Sequence, residues 1–324
     1  MTRRFWHSIL VISLFFWLNT CSDSFRGHEE ERFIKPSALA PSSPSLTPHS
    51  TYSKNSSPTH TPSPTKIQLP VVTRVLLEAP STITPTIPTC WSEGGSIHNA
   101  SLKSVYLRNP LDFRVYLPPC YHQQSDRSYP VLYLIHGKGF TDEQWDRIGI
   151  DEAANNLIAS NEIPPLIVIM PYEQDIQPPQ ISKFSQAFIE DLVPHVDKTY
   201  RTLPDRFHRA IGGLSRGGGW AIHFGISEWE LFGALGAHSP GIFPFDNMYM
   251  QRWLDNIPRD SIPRIYIDIG SRDLREILEP VVHFEELLND RDIPHEWHYF
   301  SGFHNEDYWH THLESYLRWY TQTW

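Results

Sequence analysis

"RAIGGLSRGGGW", Arg209–Trp220, decides how this chain is read. Five of its 17 glycines fall between Gly212 and Gly219, around a single Ser215. A helix interior disfavours glycine by about 1 kcal/mol per residue, so a helix that opens "RGGGW" has another reason to carry three. The apolar run "HRAIGGL" leads in and the helical pattern "RGGGWAIHFGIS" leads out, which predicts a strand-to-helix junction with Ser215 at its corner. Gly213-Leu214-Ser215-Arg216-Gly217 satisfies G-x-S-x-G. Glycines two before and two after the serine relieve crowding where the turn forces the serine backbone into an unfavourable region. A flexible loop or an idle tight turn would also use glycine. The flanking strand and helix favour an elbow that presents a nucleophile.

Outward from the elbow, strand-like and helix-like runs alternate. "SVYL" (Ser104–Leu107) and "FRVYLPP" (Phe113–Pro119) have the β-branched and aromatic alternation of strands. "VLYLIHG" (Val131–Gly137) and "PLIVIMP" (Pro165–Pro171) are continuous apolar runs, the mark of strands buried on both faces. "FGALGAHSP" (Phe232–Pro240), "RIYIDIGS" (Arg264–Ser271) and "HEWHYF" (His295–Phe300) predict three more strands. Helical spacing runs through Thr141–Ser160, Ser185–Tyr200, Leu274–Asp290 and Glu306–Tyr320. The alternation implies an α/β fold, a mostly parallel central sheet with helices on both faces. Ligands of such sheets bind at the carboxyl ends of the strands.

A serine hydroxyl needs a base, and the base needs an orienting group. Behind a nucleophile elbow these follow in chain order, acid and then histidine. Asp273, just past the strand "RIYIDIGS", is the expected acid. Asp268 lies inside that strand and is its rival, while Glu276 and Glu279 read as exposed helix residues. Of the histidines that follow, His283 is mid-helix, His295 and His298 flank or occupy a strand, and His310 and His312 fall in the last helix. His304 alone sits in a loop straight after a strand, with Gly302 beside it, and is the expected base. One oxyanion donor is the backbone N–H of Arg216; the other is expected from "HGKGF" (His136–Phe140), at Lys138 or Gly139. His136 is expected to hold that loop. Among the 11 tryptophans, Trp145, Trp220 and Trp309 are candidates to line a sugar or aryl cleft, against a default of core packing. Glu306 and Asp307 either disfavour anionic substrates or cap the last helix.

"VLYLIHGKG", "DEQW", "PLIVIMP", "FIEDLVPHVDKTYRT", "RAIGGLSRGG", "IYIDIGSRD" and "SGFHNEDYWHTHL" follow in an order that resembles the esterase D-like branch of the α/β-hydrolases, over Ser104–Trp319. That branch holds feruloyl and acetyl-xylan esterases, siderophore-ester hydrolases and mycolyltransferases. The resemblance implies an α/β-hydrolase fold, no metal or organic cofactor, and Ser215, Asp273 and His304 as a catalytic triad. Arg216 departs from it, because many members carry Met or another apolar residue there. A cation beside the nucleophile is expected to alter leaving-group or acyl preference, unless it is merely salt-bridged.

The remaining sequence bears on location and partners. After "MTRR", the apolar run "ILVISLFFWL" (Ile9–Leu18) is too short for a comfortable membrane span and reads as an export signal over residues 1–21. "LNTC" (Leu18–Cys21) looks like a bacterial lipobox, which makes Cys21 the lipidation candidate and the lipid the only membrane contact. Residues 22–89 are rich in Pro, Ser and Thr, as in "PSSPSLTPHSTYSKNSSPTHTPSPT", and read as an extended tether. The folded domain is expected over 90–324. With Cys21 set aside, Cys90 and Cys120 form an even pair in an oxidising compartment, and a disulfide is expected. The formal charge of −10, with no dense Lys/Arg run, argues against nucleic acid as a partner. The expected partner is a small-molecule or carbohydrate-linked ester. Hydrolysis, acyl transfer and a non-catalytic surface protein on a hydrolase fold all remain compatible with the motif.

Overall fold

The computed structural model describes residues 89–324. The expected export segment 1–21 with its lipidation candidate Cys21, and the expected tether up to residue 88, lie outside the described residues. Eight strands form one sheet in the order β1-β2-β4-β3-β5-β6-β7-β8. They are β1 Ser96–Leu102, β2 Leu111–Leu117, β3 Val131–Ile135, β4 Ile167–Pro171, β5 Arg209–Leu214, β6 Ala234–His238, β7 Arg264–Arg272 and β8 Glu296–Phe303. The β1–β2 and β2–β4 pairs are antiparallel, and every pair from β4 across to β8 is parallel. This is the α/β-hydrolase architecture.

The two buried faces follow from the period of two along each strand. On β3, Val131, Tyr133 and Ile135 face one core, and Leu132 and Leu134 face the other. The first core takes Phe188 and Val196 from the helical stretch 184–199, which is π-wound over Ala187–Leu192 between α3 (Phe184–Gln186) and α4 (Val193–Thr199). It also takes Trp220 and Phe224 of α5 (Arg216–Ser227), Leu254 of α6 (Pro244–Asn256) and Phe284 of α7 (Arg275–Asn289). The second takes Trp145 of α1 (Gln144–Arg147), Leu157 of α2 (Ile150–Ala159) and Tyr316 of α8 (Glu306–Thr321).

Two local expectations need correction. Ser104–Leu107 is a bent loop rather than a strand; Ser104 Oγ accepts the Tyr106 N–H at 3.1 Å. The strand of that region lies earlier, at "SIHNASL". It is an edge strand whose side chains are all at least partly exposed, so it carries little apolar signal. The run 141–160 is two helices, because Gly149 adopts φ 94° and turns the chain between α1 and α2. Helix α6, with a weak apolar pattern, was not anticipated. Cys90 and Cys120 are disulfide-bonded, Cα–Cα 5.0 Å, and tie the start of the described chain to the loop after β2. Among the described residues no helix is long and apolar enough to cross a membrane.

Candidate active site

Ser215 sits between β5 and α5 with φ 53° and ψ −120°, a conformation that only surrounding structure can hold. Its N–H donates to the His238 carbonyl (2.9 Å) and its carbonyl accepts from Gly241 (2.8 Å) and Gly219 (3.1 Å). The flanking glycines are steric necessities. A Cβ on Gly213 would lie 2.2 Å from the Gly217 carbonyl, and one on Gly217 would lie 2.0 Å from the Ile135 carbonyl oxygen.

The neighbouring parallel strands bring the other two residues to the same edge. His304 follows β8 and Asp273 follows β7. The β7–β8 register pairs Gly270 with Phe300 but Arg272 with Phe303, so β8 gains one residue in a bulge just before His304. His304 Nε2 stands 2.8 Å from Ser215 Oγ. His304 Nδ1 stands 2.9 Å from Asp273 Oδ1, off the line of a well-directed hydrogen bond. That same oxygen accepts the Leu274 N–H at 2.6 Å, while Oδ2 is buried and unpaired. The Asp273 side chain is inaccessible and the His304 ring is 16% accessible. Trp309 lies edge-on to that ring, centroids 5.1 Å apart. The three expected residues thus meet in succession, Asp273 against His304 and His304 against Ser215. The His304–Ser215 contact can take the Ser215 proton onto His304 Nε2.

Asp268, the rival acid, does something else. It is fully buried and receives His238 Nδ1–H (2.6 Å), Tyr308 O–H (2.6 Å) and Tyr316 O–H (3.0 Å). The remaining His283, His295, His298, His310 and His312 make contacts away from Ser215: His310 Nδ1 meets the Ile148 carbonyl, for example, and the His312 ring stacks on Phe300.

The loop after β3 borders the same cavity, of about 490 Å³, which Lys138, Phe140, Ser215, His304 and Trp309 line. The Gly137 N–H is taken by Gln144 Oε1 (2.8 Å) and the Phe140 N–H by the Gly137 carbonyl (3.2 Å). Lys138 lines the cavity and Gly139, at φ 82°, does not. Gln144 also donates to Glu306 Oε1 (2.9 Å), and Glu306 receives Arg147. Glu306 therefore clamps the loop from beside His304, and Asn305 rather than Glu306 or Asp307 caps α8 through Tyr308 N–H (3.1 Å).

His136 holds the loop from within. Its Nδ1–H donates to the Gly137 carbonyl (2.8 Å) and its Nε2 accepts the Glu173 N–H (2.9 Å). Burial pushes its pKa down to about 4, so the ring is neutral in that bridge. Glu173 and the Arg216 guanidinium form an ion pair, Nε–Oε2 2.7 Å and Nη2–Oε1 2.5 Å. Burial raises the Glu173 pKa and Arg216 pulls it back. The Arg216 charge is therefore neutralised inside the protein and does not stand free beside the nucleophile, against the alternative in which it meets the substrate. Trp145 and Trp220 are 1% and 0% exposed and belong to the cores; of the three tryptophans only Trp309 reaches the cavity. Gln144 and Glu173 escaped the sequence reading. The one signal for Gln144 was its place in "DEQW", and nothing local marks Glu173.

A family model described as "Putative esterase" matches residues 104–320. An endo-1,4-beta-xylanase/feruloyl esterase of Xylanibacter ruminicola is 36% identical over 140 residues, 40% of this chain and 19% of that protein. The chain thus spans about a fifth of that relative's length. A solved ferulic acid esterase superposes with a TM-score of 0.64 at 24% identity, covering 71% of this chain and 98% of its own. An S-formylglutathione hydrolase of Staphylococcus aureus does so at 0.57 and 19%, covering 70% and 98%. At these identities the two structures speak for the fold alone.

Proposed function

Because this chain belongs to the esterase family whose model it matches over two thirds of its length, we propose that it is an exported serine hydrolase of carboxylic esters. The observation that carries the reading is the 2.8 Å approach of His304 Nε2 to Ser215 Oγ at a strained elbow. Ser215 attacks the ester carbonyl as His304 takes its proton, with Asp273 orienting the imidazole. The oxyanion is received by the N–H of Arg216 and that of Lys138, with Gly139 as the loop's other candidate. His304 returns the proton to the departing alcohol, leaving an acyl-Ser215 ester that water cleaves by the same steps in reverse roles. The substrate is a small-molecule or carbohydrate-linked ester, and the name of the Xylanibacter relative puts feruloyl esters first among those to test. Residues 1–21 export the chain, Cys21 carries the lipid anchor, and 22–89 tether the 90–324 domain to the membrane surface.

The test is fluorophosphonate labelling of the full chain, with p-nitrophenyl acetate turnover in parallel. Ser215→Ala is expected to lose both, with turnover down by about 10⁴-fold or more. A folded wild-type chain that takes no label overturns the reading and favours a non-catalytic protein on this fold. Ester products formed with an added sugar alcohol would instead move the reading to acyl transfer.

A further inference from the structure

We propose that Glu173 and the side chain of Arg216 are positioning residues that hold the two oxyanion donors in register; the inference rests on the esterase reading above. The Arg216 N–H sits in the first turn of α5, where helix geometry leaves it without an intrahelical acceptor. Its side chain is not among the groups lining the cavity. It is 12% accessible and grips Glu173 with both Nε and Nη2, while Nη2 also donates to the Gln177 carbonyl (2.5 Å). The guanidinium is packed against Phe243, 5.0 Å from the ring centroid, and Trp220, 5.9 Å. The Glu173 carboxylate is 1% accessible.

Glu173 is joined to the opposite donor through its own backbone. Its N–H donates to His136 Nε2, and His136 Nδ1–H donates to the Gly137 carbonyl, whose carbon is bonded to the Lys138 nitrogen. One continuous run of contacts therefore links the two amides proposed to meet the oxyanion. It goes from Arg216 through its side chain to Glu173, then to His136 and the 137–138 peptide. Gln144 holds the same loop from the other side.

The physical argument concerns precision. Oxyanion stabilisation depends on donors aimed in advance at the position the charge will occupy, and small misplacements of catalytic groups cost large factors in rate. One donor here follows a residue at φ 53°, a conformation that relaxes unless its surroundings over-determine it. A planar two-pronged guanidinium–carboxylate contact fixes orientation as well as distance, which a Lys or Met at 216 cannot do. Buried ion pairs are poor stabilisers compared with apolar packing, so their value here lies in the geometry they impose.

The experiment uses the full chain with Glu173→Gln, Arg216→Met and Arg216→Lys. Three quantities are measured: kcat and KM on p-nitrophenyl acetate, the Ki of a trifluoromethyl ketone, and Tm. The ketone adds Ser215 to form a hemiketal oxyanion, so its affinity reads the hole directly. Expected are kcat values about 10- to 100-fold lower for Glu173→Gln and Arg216→Met. KM should stay within about threefold, and ketone affinity should fall by the same factor as kcat. Arg216→Lys, which keeps the charge without the fork, should fall between and serves if Glu173→Gln does not fold. Variants with lowered Tm whose kcat and ketone affinity stay within about twofold of wild type overturn the inference, leaving the pair a packing element. A folded wild-type chain that neither binds the ketone nor cleaves the ester overturns the esterase reading, and this inference with it.

Discussion

At the scale of single residues, His136 shows how a buried titratable group reports on the site. Burial lowers its pKa to about 4 against the bond it makes to Gly137, while an unfolded histidine titrates near 6.5. Between those values the unfolded chain takes up a proton that native His136 refuses. Its effect on stability is therefore nil above pH 6.5 and increasingly unfavourable as pH falls towards 4. By pH 5 the loss is about 2 kcal/mol. Asp151 works in the opposite direction, since burial raises its pKa to about 7 and the native state holds that proton as pH falls. The wild-type profile mixes the two, so the readout is a difference. Urea unfolding at pH 7 and pH 5 should show wild type losing about 2 kcal/mol more than His136→Gln; parallel losses would mean that His136 is not buried neutral. Ser215, Asp273 and His304 were legible one by one because each stands at a strand end, where chain order and loop position identify it. Gln144 and Glu173 were not, because Glu306 and Arg216, the charged partners of their side chains, lie 162 and 43 residues away in sequence.

Among the elements, α8 matters most to the site, because the loop that carries His304 runs straight into it. Asp268 on β7 anchors this helix by accepting Tyr308 and Tyr316 O–H, and His238 on β6 joins through Tyr320 at 3.0 Å. The Tyr320 hydroxyl reaches the sheet only because positions 212 and 236 are glycine; a Cβ at either would lie 1.9 Å from its oxygen. Asp268→Asn removes the charge on which three donors converge and should cost about 3–5 kcal/mol in urea unfolding. Fluorophosphonate labelling per folded molecule should persist. Lost labelling at unchanged stability would make Asp268 the orienting acid in place of Asp273. Strands β3 and β4 were readable in the sequence as unbroken apolar runs, since both faces are buried, and β5 to β7 as apolar runs interrupted by glycine, His238 or Asp268. Edge strand β1 and helix α6 were not, because half-exposed elements leave weak patterns.

For the whole molecule, the parallel half of the sheet is the frame, and its carboxyl edge gathers the residues after β3, β5 and β8 around one cavity, with Asp273 after β7 set behind His304. The Cys90–Cys120 bridge lies at the opposite, antiparallel end and closes a loop of 30 residues. Converting both cysteines to serine should cost about 3–4 kcal/mol by loop entropy. The labelling rate of the folded fraction should stay unchanged; a slowed rate would show that the bridge reaches the site.

The order of apolar runs by itself determined the alternating architecture, and the glycine pattern determined the elbow, because burial and backbone strain restrict which residues each position accepts. Only the tertiary structure decided that Asp273 rather than Asp268 faces His304. It also decided that Lys138 rather than Gly139 borders the cavity, and that the Arg216 charge is spent on Glu173. Those outcomes depend on strand register, a one-residue bulge and contacts between distant segments, none of which local composition encodes.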